Sequence, residues 1–247
     1  MISIKNPKEI QIMREGGKIL AEIIEQLKSQ VRPGITTQAL DKLAENLILK
    51  HGKPSFKNYK GFPNTLCTSI NSQIVHGMPS KKELTDGDIL SLDLGIEYKG
   101  FHTDMALTIP VGEVDPEVLR LIRTTKKALK RGIKKVHPGN TFGDLGNTIQ
   151  RCIESQGFVV IKNLCGHGIG RELHEEPNVL NYGKRKTGSQ IKEGMVFCIE
   201  PMASISSSEM KGGADGYALE TKDGSFSAHF EHTVAVTERG CIVLTEL

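Results

Sequence analysis

The sequence predicts an α+β protein of two related halves arranged about a central antiparallel sheet, on three observations. A 21-residue segment near the N-terminus is echoed 105 positions later, two strand-like runs recur in its wake, and each of those runs delivers an acidic residue. With 247 residues, 38% hydrophobic and 25% charged, composition is ordinary for a folded chain, which at this length removes roughly 70–75% of its unfolded surface from water. Disorder is excluded. A net charge of +3 is too small to demand a nucleic-acid partner. Five scattered cysteines without C-x-x-C spacing read as reduced thiols. The charged N-terminus lacks a secretory apolar core, and no run approaches a membrane span, so a cytoplasmic protein without membrane association is expected.

Asn6-Pro7 opens a helix in which Ile10, Met13, Gly17, Leu20, Ile24 and Leu27 recur every three or four residues. RPGITTQALDKLAENLILKHG (32–52) is then matched by HPGNTFGDLGNTIQRCIESQG (137–157), with Pro, Gly, Thr, Leu, Ile and Gly in step. TDGDILSLDLG (85–95) is echoed by KEGMVFCIEPM (192–202), pairing Asp93 with Glu200. FHTDMALTI (101–109) is echoed by HFEHTVAVT (229–237), pairing Asp104 with Glu231, and VHGMP beside LHEEP pairs His76 with His174. With no long linker, residues 1–247 read as a single domain of half-repeats, about 1–114 and 115–247. Asp115-Pro116 starts a dividing helix along which Lys126, Lys127, Lys130, Arg131, Lys134 and Lys135 form a stripe. That stripe reads either as a solvated face or as a contact for a polyanion such as ribosomal RNA.

ILSLDLGIEY and FHTDMALTI, joined through Lys99-Gly100, read as a β-hairpin. If Tyr98 faces Phe101, Gly95 faces Asp104, and period-2 alternation sends Asp93 and Asp104 to one face. Glu200 and Glu231 are 31 positions apart, and only the repeat places them on paired strands. Four ionised acids converging in a half-buried site would repel one another unless cations were present, and two divalent ions would balance four negative charges. His167 lies in CGHGIGRELHEEP, whose clustered glycines predict a loop making a close backbone approach; His174 follows seven residues on.

These residues, in the strings VHGMP, SLDLG, FHTDMA, GHGIGRELHEEP, IEPM and FEHTVAVTERG, resemble type I methionine aminopeptidases through nearly the whole chain. The resemblance implies the pita-bread fold of the creatinase and aminopeptidase group, with a dinuclear metal centre between two pseudo-twofold-related halves. It implies metal ligation by Asp93, Asp104, His167, Glu200 and Glu231, with Asp104 and Glu231 bridging two divalent ions drawn from Co, Mn, Fe or Zn. The short interval from His174 to Glu200 leaves no room for the helical insertion of type II relatives. Such a pair of metals acidifies a shared water and polarises a carbonyl. The substrates implied are N-termini of nascent polypeptides, cleaved by a monomer after the first methionine. Glu200 would shuttle the proton, His174 would meet the developing oxyanion, and His76 would contact the scissile amide.

The first-residue pocket is expected from Tyr59, Phe62, Cys67, Leu173 and Tyr217, an apolar and sulfur-containing set suited to a thioether. The family often carries bulkier aromatics in place of Leu173 and Tyr217, so a roomier or differently shaped pocket is expected. Three other readings remain open at this point. A proline-selective peptidase of the same fold usually carries an extra N-terminal domain, for which 247 residues leave no room. A two-metal phosphoesterase would place basic residues beside the acids, where Arg171 alone lies near the histidine motif. A silent binding module would typically have lost metal ligands.

Overall fold

The computed structural model describes residues 2–247. Helix α1, Pro7–Gln30, begins where the sequence placed it: the Asn6 side chain accepts from the backbone of Lys8 and Glu9, and Glu9 returns the bond, closing a capping box. Its apolar face buries Met13, Gly17, Leu20, Ile24 and Leu27. The echoed segments become α2, Thr37–Ile48, and α4, Phe142–Glu154, capped by the repeat-related Thr36 and Thr141. Gly34 and Gly139, in step before those caps, have φ of 85° and 96°, a left-handed turn that glycine adopts without a Cβ penalty. Helix α3, Pro116–Ile133, is capped by Asp115. It ends at Ile133, so Lys134 is its cap and Lys135 lies beyond it; the basic stripe is helical only as far as Arg131.

The main sheet has nine strands and draws them from both halves. Along its principal path lie Lys53–Pro54, Ile89–Tyr98, Phe101–Pro110, Glu231–Thr237, Val196–Ile199, Cys165–Gly168 and Glu175–Leu180; Cys67–Ile70 pairs with Ile89–Tyr98, and Gly240–Val243 pairs with Glu231–Thr237. These strands pair antiparallel. Two three-stranded sheets adjoin it. The first hairpin has the expected register, with Tyr98 opposite Phe101 and Gly95 opposite Asp104. Lys99 and Gly100 both have positive φ, 50° and 81°, the turn whose twist matches the flanking strands.

Alternation sorts the two faces of the sheet. Leu90, Leu92, Leu94 and Ile96 pack with Leu20, Ile24, Leu40 and Ala44 of α1 and α2. Phe197, Ile199 and Val234 pack with Leu121, Leu129, Leu145 and Ile149 of α3 and α4. The intervening positions, among them Asp93, Cys198 and Glu231, face the other way. Helices therefore cover one face and leave the opposite one for chemistry.

One expectation needs correction. His167 lies on the strand Cys165–Gly168 rather than in a loop. Its flanking glycines serve strand packing: a Cβ on Gly166 would stand 2.3 Å from the Cys198 carbonyl oxygen, and one on Gly168 2.1 Å from that of Glu176.

Candidate metal centre

Sheet register puts the acids side by side. Asp93 pairs with Ala106 across the hairpin, and Ala106 pairs with Glu231 on the next strand. Since His232 pairs with Ile199, continuing that register by one step sets Glu200 opposite Glu231. Cys67 lies opposite Asp93 at the other end of this row. Paired residues share a face, so three carboxylates carried by three strands converge about the small side chain of Ala106 on a fourth. Asp104, two residues from Ala106, joins them. Its strand is locked to its neighbour by Thr233, whose hydroxyl accepts from the Asp104 N–H (2.9 Å) and donates to the Asp104 carbonyl (2.8 Å).

Three groups of donors each lie within 4.8 Å of one another: Asp93, Asp104 and Glu231; Glu200, His229 and Glu231; and His167, Cys198 and Glu231. Glu231 belongs to all three. The His167 ring is oriented by its Nδ1, 2.9 Å from the Gly168 carbonyl oxygen, and its Nε2 stands 3.7 Å from Glu200 Oε1. A histidine whose far nitrogen is engaged in this way keeps the other free to ligate.

The electrostatics show what the site lacks without a cation. Burial, followed by the charges of Asp104 and Glu200, holds Asp93 well above the carboxylate range. Burial, then Asp104 and Glu200, does the same to Glu231. Burial first and Glu200 second push Asp104 up to about 7, and burial pushes Glu200 up to about 7. Asp93 Oδ1 and Glu231 Oε1 are buried with no hydrogen-bond partner. Buried oxygens so placed cost free energy unless something positive meets them, and the residues present fit a divalent cation. Cys198 is the poorest of the donors, because burial and the neighbouring Glu231 and Asp104 keep its thiol protonated.

All twelve side chains singled out in the sequence line one cavity of about 330 Å³. Asp93, Asp104, His167, Glu200 and Glu231 line it together with His76 and His174, both of which are exposed residues. His174 stacks on Tyr59 at 5.2 Å between ring centroids, with its Nδ1 3.0 Å from the Tyr59 hydroxyl, and its ring centroid lies 4.2 Å from that of His167. Desolvation of its inner part, with the nearby His167 next, lowers it to about 3, so the ring is neutral. His76 has φ of 61° at the end of the strand Gln73–Val75, a strained conformation for a residue with a Cβ. Phe62, Cys67 and Leu173 are buried, whereas Tyr217 is 37% exposed, edge-on to Phe62, with its hydroxyl donating to the Gly61 carbonyl at 2.8 Å.

The sequence reading missed Phe56, Lys60, Val75, Leu164, Cys165 and Met202 on the cavity wall. It also missed His229, which is 1% exposed and 3.5 Å from Glu200 Oε2. A signal for His229 was available: His102-Thr-Asp104 and His229-Phe-Glu231 share a His-x-acid spacing within the repeat.

The model of metallopeptidase family M24 matches residues 11–238. The chain belongs to metallopeptidase family M24. Among curated M24 relatives, the methionine aminopeptidase of Clostridium perfringens is 47% identical over 246 residues, covering 99% of each chain. The crystal structure of methionine aminopeptidase from Thermotoga maritima superimposes with a TM-score of 0.98 at 41% identity, over 100% of both chains. A prolidase from Pyrococcus furiosus shares the fold more distantly, with a TM-score of 0.81 at 25% identity over 99% of this chain and 65% of that one. The architecture is thus the pita-bread fold; M24 membership implies divalent metal use, and the chain carries carboxylate and histidine clusters that could hold such ions. Among the described residues, no helix is long and apolar enough to cross a membrane.

Proposed function

We propose that this M24 peptidase removes the N-terminal methionine from newly made proteins, using two divalent ions held by Asp93, Asp104, His167, Glu200 and Glu231. The observation that carries the reading is the convergence of four carboxylates from both halves, two of them with orphaned buried oxygens, on the wall of an apolar cavity. Asp104 and Glu231 would bridge, a role that suits Glu231's membership of every donor group. Cations bound there supply Lewis acidity, which acidifies water and polarises a carbonyl.

The protein side chains do the rest. Glu200, on the cavity wall just past the strand Val196–Ile199, would accept a proton from the attacking water and pass it to the departing amine. The Tyr59 hydroxyl lies 3.0 Å from His174 Nδ1; in the tautomer in which it donates there, the ring proton would sit on Nε2 and donate to a developing oxyanion. His76 would contact the scissile amide. Phe62, Cys67 and Leu173, with Phe56 and Met202, would bury the thioether side chain, while Tyr59 and Tyr217 border it.

Partners follow from the same reading. The substrates are N-termini of nascent polypeptides, met in the cytoplasm by a monomer. The exposed Lys126, Lys127, Lys130 and Arg131 of α3, continued by Lys134 and Lys135, would contact ribosomal RNA in passing. A cavity of about 550 Å³ lined by Arg120, Arg123, Lys127 and Arg131 supports a polyanion contact on this face.

The test is release of methionine from a Met-Ala-Ser peptide by metal-loaded protein, with a chelator arm and a phosphate-ester arm. Methionine release that chelator abolishes is expected. Hydrolysis of the ester but not the peptide would overturn the proposal.

A further inference from the structure

The His229 ring lies between the two acids of the second half, and neither its Nδ1 nor its Nε2 has a hydrogen-bond partner. Its Nε2 stands 3.5 Å from Glu200 Oε2 and 3.8 Å from Glu231 Oε2, too far for hydrogen bonds. Donors that share one cation through bonds of roughly 2.0–2.2 Å stand roughly 3–3.8 Å apart, which is the spacing found here.

The position is fixed from the backbone. The His229 N–H donates to Thr108 Oγ1 at 2.8 Å, and that hydroxyl donates to the His229 carbonyl at 2.9 Å, tying the residue to the strand Phe101–Pro110. His229 also ends the strand Ser227–His229, opposite Met202. The chain is thus held where the ring must enter the acid cluster. Glu200 consequently has an imidazole beside each oxygen, His167 at Oε1 (3.7 Å) and His229 at Oε2 (3.5 Å).

We propose that His229 Nε2 is an additional metal donor, ligating a divalent cation together with one oxygen each of Glu200 and Glu231, so that the centre presents two imidazoles. The inference rests on the metal-centre reading above and extends its ligand set. A neutral imidazole adds no charge to the balance of four carboxylates against two dications. It does add a nitrogen donor, shifting preference towards metals that favour mixed nitrogen and oxygen ligation.

The test is proton NMR of protein loaded with two equivalents of Co(II), alongside calorimetric titration of the chelator-stripped protein with Co(II). Each imidazole bound to high-spin Co(II) gives one strongly shifted ring N–H signal that disappears in D2O. Two such signals are expected in the wild-type protein and one in His229→Gln, with at least a tenfold weakening of one Co(II) in the variant. A wild-type protein that takes up two Co(II) yet shows one shifted N–H overturns the inference and leaves the metal-centre reading standing. So does a His229→Gln variant with the wild-type spectrum and affinities. A wild-type protein that takes up no Co(II) contradicts both. If the variant fails to fold by circular dichroism, the wild-type signal count decides alone.

Discussion

The two halves of the molecule deliver their acids by different routes. In the first, Asp93 and Asp104 sit on adjacent strands of one tight hairpin, so an eleven-residue stretch of sequence sets their relation. In the second, Glu200 lies just past the strand Val196–Ile199, and the chain makes a 31-residue excursion before Glu231. That excursion places Met202 and Tyr217 on the cavity wall and forms strands of both smaller sheets. The histidines preceding the two second-strand acids diverge as well. His102 Nδ1 is 2.9 Å from Ser55 Oγ, whereas His229 has no hydrogen-bond partner and lies against two carboxylates. The first half encodes its acid pair locally; the second spends chain length on enclosing a substrate.

The largest effect that would break this comparison belongs to the second half. Glu200→Gln should lower kcat for methionine release by about 10²–10⁴-fold with the fold retained, as expected for loss of a general base. A variant turning over at the wild-type rate would remove Glu200 from the chemistry. His174→Ala should cost about 10²–10³-fold in kcat, the usual range for an oxyanion donor. Tyr59→Phe should cost less, since it removes only the hydroxyl 3.0 Å from His174 Nδ1. Equal losses in steady-state assays of the two variants would contradict that ranking.

A third prediction concerns the cost of assembling both pairs. In the metal-free protein Asp104 and Glu200 titrate at about 7, above ordinary unfolded carboxyl groups, so the folded state binds more protons than the unfolded state between pH 6.5 and 8. Stability must then fall as pH rises through that window. Thermal unfolding in chelator should show a Tm a few degrees lower at pH 8 than at pH 6.5, and added Co(II) or Mn(II) should remove the trend. A Tm that rises across the window in chelator would show that the acids are not forced together. The smallest effect belongs to His102→Gln. Losing the Ser55 contact should cost about 1 kcal/mol of stability, and Co(II) affinity should not change. Weakened Co(II) binding in that variant would erase the distinction drawn between His102 and His229.

What could be read from sequence follows the same division. The hairpin register was legible because its two-residue turn and period-2 pattern are local, and so were the caps at Asn6 and Asp115. The row from Cys67 through Asp93 and Ala106 to Glu231 was not, because it depends on pairings between strands far apart in the chain. The close backbone approach at the glycines around His167 was legible, but it reads equally as a loop or as tightly packed strands, and the neighbouring strands that decide it lie elsewhere in the chain. His229 was overlooked because the His-x-acid spacing it shares with His102 does not tell the two apart; the fold does, since His102 meets Ser55 and the nitrogens of His229 have no partner.

The claim that acids from both halves hold divalent cations is tested most directly by titrating chelator-stripped protein with Co(II) or Mn(II) while following methionine release. The account predicts uptake of two equivalents, with activity restored as they bind. Full-rate release in chelator, or a protein that binds no divalent cation, would contradict it.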